Sequence, residues 1–238
     1  MNPKISIAIP TFESYGKGAE FLDDLLRTIE IQTFKDFEVV ISDHSEDNEV
    51  FDKVGEFEDR INFCYSKNRN DRGNGPANTN RAIDMCSGDI IKIMFQDDFF
   101  YDDEALEKIY NALNKNDEMW LLNGCNHTAD HGHSFYWDFY PEFNDELLDG
   151  VNTISSPSVV SFKKEVTRRF DPSLTFYMDL DFYYGMRLDY GMPILYNDIL
   201  ISNRFPSDYS VTTNVSNKNK EYYERTESEY CKKKYNLI

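Results

Sequence analysis

Apolar and polar positions follow two rhythms along the first half of the chain. Ile5 to Pro10 (ISIAIP) is a short apolar run that closes on a proline. Phe21, Leu22, Leu25, Leu26 and Ile29 then recur at helical spacing, with polar residues between them. Phe37 to Ser42 (FEVVIS) is a second β-rich run, Val50, Phe51 and Val54 mark a short helix, and Ile61 to Ser66 (INFCYS) is a third strand. Two glycines and three asparagines make Lys67 to Gly75 (KNRNDRGNG) a loop. Pro76 opens a helix reaching to about Cys86, since proline suits a first helical position. Ile90 to Phe95 (IIKIMF) is apolar enough to be a central strand. Asp102 to Asn116 is an amphipathic helix through Leu106, Ile109, Tyr110 and Leu113, and Met119 to Leu122 is a further strand.

Strands alternating with helices predict an α/β fold with a mostly parallel sheet and right-handed crossovers. Ligands in such sheets sit at the carboxyl ends of the strands. Attention therefore falls on Pro10 to Glu13, Ser42 to Ser45 and Gln96 to Asp98. The second half is less regular. Ser134 to Tyr140 is aromatic-rich, Val159 to Phe162 and Ile194 to Ile201 read as strands, and Asp179 to Tyr190 reads as a helix. Residues 213–238 read as a polar helix or tail. With no repeat and no linker, one domain over 1–238 is expected, with a first half over 1–115 and a second over 116–212.

The chain has 238 residues, 40% of them apolar, which argues against disorder. A net charge of −18 argues against nucleic acid as a partner. It leaves room for an anionic nucleotide, because a divalent metal can bridge two negative groups. No run approaches the ~20 apolar residues of a transmembrane helix, and no signal peptide is visible. Cys64, Cys86, Cys125 and Cys231 lack CxxC spacing, so reduced thiols and a cytoplasmic location are expected.

Asp97 and Asp98 directly follow the fourth strand. Adjacent carboxylates at a buried strand end repel each other, and a hard divalent cation offsets that repulsion. The alternative is a solvated turn before the acidic helix. Asp43, at the end of the second strand, is placed to accept from a base N–H or a ribose hydroxyl, or else to cap the next helix. The loop and helix start from Asn74 to Asn78 offer a helix N-terminus to a diphosphate, with Arg81 adding charge. It is neither a GxGxxG nor a Walker loop. Cys125, His127, His131 and His133 have irregular spacing for zinc and read better as an acceptor-side loop. Trp137, with Tyr136, Phe139 and Tyr140, reads as a sugar-stacking surface or as core packing. Lys232 to Lys234 reads as a solvated face.

These pieces, in this order, resemble the GT-A glycosyltransferases, in particular the inverting family 2. The resemblance covers residues 4–115 and extends to about 212. It starts from Ile5-Ser6-Ile7-Ala8-Ile9-Pro10-Thr11-Phe12 and continues through Leu25 to Gln32 and Phe37 to Asp43, with Ser42 where an Asp is common and Asp47 at the later Asp. Gly75 to Ile83 and Ser87 to Ile91 are similar to the "G.s.a.N.ai..a.GeyI" stretch. Gln96-Asp97-Asp98 falls at the DxD-type metal motif, with Phe95 in place of its first Asp.

The resemblance implies a nucleotide-sugar donor, most readily a UDP-sugar, and a carbohydrate acceptor. Nucleotide contacts are implied for Pro10, Thr11, Glu13, Asp43, Asn78, Arg81, Asp97 and Arg204, and Mn²⁺ or Mg²⁺ for Asp98. Phe176 to Phe182 is similar to the family's "ED" stretch, with Met178 in place of Glu, which makes Asp179 the implied catalytic base and Asp181 its rival. Other expectations are a nucleotidyltransferase of similar architecture and a binding module without catalysis. The first turn, Pro10-Thr11-Phe12-Glu13, lacks the Gly-rich, basic loop of the nucleotidyltransferases.

Overall fold

The computed structural model describes residues 2–205, 208–209 and 211–238. In chain order its main elements are β1 (Ile5–Thr11), α1 (Gly18–Glu30), β2 (Phe37–Asp43), α2 (Glu49–Gly55), β3 (Phe63–Lys67), α3 (Gly75–Met85), β4 (Ile90–Ile93), β5 (Phe99–Phe100), α4 (Ala105–Lys115), β6 (Trp120–Thr128), β7 (Tyr136–Phe139), β8 (Val160–Lys163), α5 (Met178–Tyr190), β9 (Ile194–Arg204) and α6 (Val211–Lys234). Among the described residues no helix is long and apolar enough to cross a membrane.

One sheet runs through both halves in the order β3-β2-β1-β4-β8-β6-β9-β5, with β7 paired to β6. Strands β3, β2, β1 and β4 are parallel, as the alternation predicts. β1 is central, and Ile5, Ile7, Ala8 and Ile9 are fully buried on both faces, which is why its sequence is continuously apolar. The helical stripe Phe21, Leu22, Leu25, Leu26 and Ile29 is buried along α1.

The second half departs from the parallel expectation. β8 is inserted antiparallel between β4 and β6, and β5 runs antiparallel to β9. β4 ends at Ile93, not Phe95, because the Phe95 N–H turns to the Ser158 hydroxyl at 2.9 Å. The stretch around Cys125 and His127, expected as a loop, is strand. β6 continues to Thr128 because β9 pairs with it as far as Thr128↔Arg204. Residues 213–238 are largely helical, and the basic run is not simply solvated: Lys234 meets Asp171 at 2.8 Å and Asp181 at 2.9 Å.

A buried carboxylate ties the parallel strands together. Glu38 Oε1 accepts from the Ser6 hydroxyl at 2.6 Å and from the Ser87 N–H and hydroxyl, both at 2.8 Å. Gly88 N–H donates to the Ser6 oxygen at 2.8 Å. A Cβ on Gly88 would lie 2.7 Å from Ser6 N and 2.9 Å from the Ile5 carbonyl carbon, both backbone atoms of the central strand. Gly88→Ala is therefore expected to destabilise the fold by roughly 1–3 kcal/mol through overpacking. Urea titration should show a lower midpoint with an unchanged slope; a parent-like midpoint would show that β1 yields freely here.

Candidate active site

Parallel pairing brings the carboxyl ends of β1, β2 and β4 to one edge, with Thr11 opposite Asp43 in register. A cleft of about 580 Å³ opens over these ends, a size suited to a small-molecule ligand. Of the residues singled out from sequence, Pro10, Glu13, Asn78, Asp97, Asp98, Asp179 and Arg204 line it. Thr11 and Asp43 are fully buried beneath the lining, and Arg81 is exposed and outside it.

Several of these polar side chains are braces. Asp43 accepts from the Thr11 and Ser45 hydroxyls, the Ser45 N–H, the Tyr65 hydroxyl and Lys67. Burial works against its charge, but these bonds outweigh burial and hold its carboxyl below the usual range. Asp43 is not the cap of α2, a position held by Asn48. Asn78 donates to the Thr11 carbonyl at 3.0 Å and accepts from Ser42 at 2.7 Å, joining α3 to β1 and β2. Gln96 clasps the Phe12 N–H and carbonyl, both at 2.8 Å, and fixes the turn after β1.

The first turn of α3 is less open to an anion than its sequence suggests. Asn74 caps it by accepting from Ala77 N–H at 2.9 Å, Pro76 has no N–H, and Asn78 N–H bonds the Asn74 carbonyl. Gly75, Asn78 and Thr79 still line the cleft.

Other groups face the cleft with capacity unused. Glu13 pairs with Arg72 through Oε1, while the buried Oε2 has no partner among the described residues. Arg72 also donates to the His44 carbonyl at 3.0 Å, and both residues line the cleft. His44 falls in the Ser42 to Ser45 strand end marked from sequence, whereas Arg72 was missed, since an arginine in a polar loop carries no periodic signal. Arg204 lies over the Phe21 ring at 4.5 Å and bonds Asp24 at 2.7 Å, while its buried Nε has no partner among the described residues.

The acids on the cleft floor are held by neutral donors. Asp98, 5% exposed, accepts from the Ser156 hydroxyl at 3.0 Å and the Arg204 N–H at 3.3 Å. Burial first, then the neighbouring charge of Asp97, pushes its carboxyl well above the usual range, and burial pushes Asp97 up as well. The pair is thus not a solvated turn. Beneath it Lys92 is fully buried, bonds Asn123 and the Ser158 carbonyl, and is driven down to about 7 by burial.

Asp179 stands in the same cleft, in the first turn of α5. It accepts from the Asn152 amide at 3.1 Å and from Leu180 N–H at 2.9 Å. Burial raises its carboxyl to about 6. Asp181, the rival, is fully buried and does not line the cleft; it is bound to Lys234 and the Tyr235 hydroxyl, both at 2.9 Å. Asn152, Ser155 and Ser156 complete this wall.

At the rim, His127 and Phe205 line the cleft. Trp137 is 66% exposed, so it is not core, and it holds a left-handed φ of 51°. His127 Nδ1 bonds its carbonyl at 3.0 Å, and its ring lies 6.1 Å from Phe205. The His residues do not form a zinc site: His131 turns away to Asp24 at 2.7 Å.

The fold and this strand-end cleft define an α/β protein of GT-A type. Residues 6–183 match Glycosyl transferase family 2, and the chain belongs to that family. It is 29% identical over 99 residues to the GalNAc(5)-diNAcBac-PP-undecaprenol beta-1,3-glucosyltransferase of Campylobacter jejuni, covering 40% of this chain and 30% of that protein. It is 25% identical over 142 residues to an uncharacterised glycosyltransferase of Methanocaldococcus jannaschii, covering 59% and 47%. Among solved structures the fold is similar to S. aureus TarS in complex with UDP-GlcNAc, with TM-score 0.69, 18% identity and coverage of 86% and 59%. It is also similar to the mannosyltransferase PcManGT of Pyrobaculum calidifontis in complex with GDP-Man and Mn²⁺, with TM-score 0.64, 16% identity and coverage of 87% and 58%. The chain spans less than two thirds of the length of each of these relatives.

The acidic pair fits a divalent cation of a particular kind. Among the described residues no three His, Cys, Asp or Glu side chains converge as a metal cluster. Two carboxylates whose charge is only partly compensated suit a cation that takes its remaining oxygens from phosphates and water.

Burial of Asp179 has a consequence for stability. Its folded carboxyl sits near 6, above the ordinary 3.8, so protonation favours the fold. That contribution is complete below about pH 4 and is lost as pH rises through 6. Asp179→Asn is expected to raise unfolding free energy at pH 8 by roughly 1–3 kcal/mol, with the gain vanishing near pH 4. Urea melts of both proteins at the two pH values test this; an equal effect at both would place the carboxyl in ordinary solvent.

Proposed function

We propose that the chain transfers a sugar from a UDP-sugar to a hydroxyl of a carbohydrate acceptor, with inversion and with Asp179 as the base. The observation that carries this reading is the meeting of Asp179 with the Asp97–Asp98 pair in one cleft, while Asp181 is tied into the protein interior. A base near 6 is ionised at neutral pH yet keeps an appreciable proton affinity, as general-base catalysis requires. Asn152 fixes one Asp179 oxygen and leaves the carboxylate oriented to take the acceptor proton.

The donor side follows from the unused polar atoms. Glu13 Oε2 suits a nucleobase N–H, such as that of uracil, and Arg204 Nε suits a diphosphate oxygen. Asp98, with Asp97 beside it, would hold Mn²⁺ or Mg²⁺, which when bound supplies positive charge for the leaving diphosphate. Asp43 and Asn78 support the nucleoside side as braces for the floor. Trp137 and Phe205 give the acceptor side an apolar face of the kind that packs against pyranose rings.

Asp179→Asn should lower single-turnover transfer by roughly 10²-fold or more while UDP affinity stays near the parent value. Near-normal transfer would move the base elsewhere. Asp98→Asn should weaken UDP binding in Mn²⁺ and leave binding in EDTA little changed. Calorimetric titration under both conditions is the measurement, and an equal loss in EDTA would make Asp98 a direct nucleotide contact instead of a metal ligand.

A further inference from the structure

Helix α5 presents Asp179 without a cap of its own. Tyr177 holds the N-cap position, and its side chain makes no capping bond. The N–H groups leading into the helix are gathered by an acid from α6. Glu227 Oε1 accepts from Thr175 N–H at 2.9 Å, and Oε2 accepts from Phe176 and Tyr177 N–H at 2.9 and 2.8 Å. Glu227 is 8% exposed. A carboxylate with three backbone donors makes charge-assisted bonds, and here it also meets the positive end of the α5 dipole.

The helix that carries Glu227 is itself fixed. The Ser228 hydroxyl donates to the Leu148 carbonyl at 2.6 Å, Cys231 is fully buried, and Lys234 joins Asp171 and Asp181. Residues 227, 231 and 234 share one helix face. Thr175, Phe176 and Met178 line the cleft beside Asp179, so the segment that Glu227 grips is a wall of the site. The family match ends at residue 183, and Glu227 lies beyond it.

We propose that Glu227 is a positioning residue: by collecting the N–H groups of residues 175–177 it sets the first turn of α5 and the place of Asp179 in the cleft. The inference rests on the reading of Asp179 as base. The Glu227 charge also adds to the rise of the Asp179 carboxyl, after burial. Tyr183 on its own helix also interacts with Asp179, and the titratable groups that share the cleft are Glu13, His44, Arg72, Asp97, Asp98, His127, Arg204 and Tyr209.

The test compares the parent chain with Glu227→Gln and Glu229→Gln. Amide hydrogen exchange of residues 175–177, single-turnover transfer against pH, and UDP affinity are measured on each. Glu227→Gln should speed exchange at 175–177 and lower transfer by roughly tenfold to a hundredfold, as small misplacement of a reacting group does. Its acid limb should move to lower pH, because a negative charge near the base is gone, and UDP affinity should hold. Glu229→Gln removes a carboxylate of the same helix that pairs with Lys233 at the surface and should leave the pH profile and exchange at 175–177 unchanged.

Should Glu227→Gln fail to fold, Glu227→Asp carries the same measurements: its shorter carboxylate should give intermediate exchange and transfer, and parent-like values overturn the proposal. Parent-like exchange and pH profile in Glu227→Gln, or the same losses in Glu229→Gln, overturn it as well. A parent chain that transfers nothing overturns the reading of Asp179 and this role with it. An active parent matched by an equally active Glu227→Gln chain overturns the role of Glu227 alone.

Discussion

Gathering Asp97, Asp98 and Asp179 around one cleft, with Asp98 buried and the other two half-buried, imposes the main electrostatic constraint on this chain, whose net charge is already −18. Ionised carboxylates lose hydration when buried, and the fold must supply replacements. It supplies neutral ones: a serine hydroxyl and a backbone N–H for Asp98, and an asparagine amide and a backbone N–H for Asp179. Lys92 below them is likewise held by an amide oxygen and a carbonyl. Charge on the cleft floor is therefore only partly compensated, and the carboxyls rise accordingly.

The structural acids are treated in the opposite way. Asp43 collects hydroxyls, an N–H and Lys67; Asp171 is held down to about 2, where bonds from Lys234, Ser173 and Tyr230 outweigh burial; Asp181 meets Lys234 and Tyr235. Such groups have no remaining demand for a ligand. This contrast separates the acids of the cleft from the bracing acids more sharply than position in a motif does. Asp179 and Asp181 are two residues apart on one helix, yet one faces the cleft and the other anchors α6, because they project on different helix faces.

Topology explains why these environments differ. The parallel strands β3, β2, β1 and β4 end on one edge and leave their loops there as a floor. The antiparallel insertion of β8 brings the segment from Asn152 to Ser158 over β4, where Ser156 meets Asp98 and Asn152 meets Asp179. β9 delivers Arg204 to the same place through its long pairing with β6. The strained Trp137 at the rim fits the tendency of unusual backbone conformations to gather near functional sites.

The sequence by itself determined the parallel half. Apolar runs of strand length, a helical stripe and a capped helix start are local signals, and local chemistry decides them. Asp97, Asp98 and Asp179 were also legible, since motif order places them at strand and helix ends. Tertiary structure alone decided the rest. The length of β6 and the antiparallel placement of β8 depend on distant partners, so short apolar windows could not reveal them. Asp43 and Asn78 read as ligand contacts from sequence, and the folded sheet adds a bracing role that no local signal shows, because their partners come from β1, β2 and β3. Glu227 stood in a polar stretch without pattern, and only docking of α6 set its carboxylate against the start of α5.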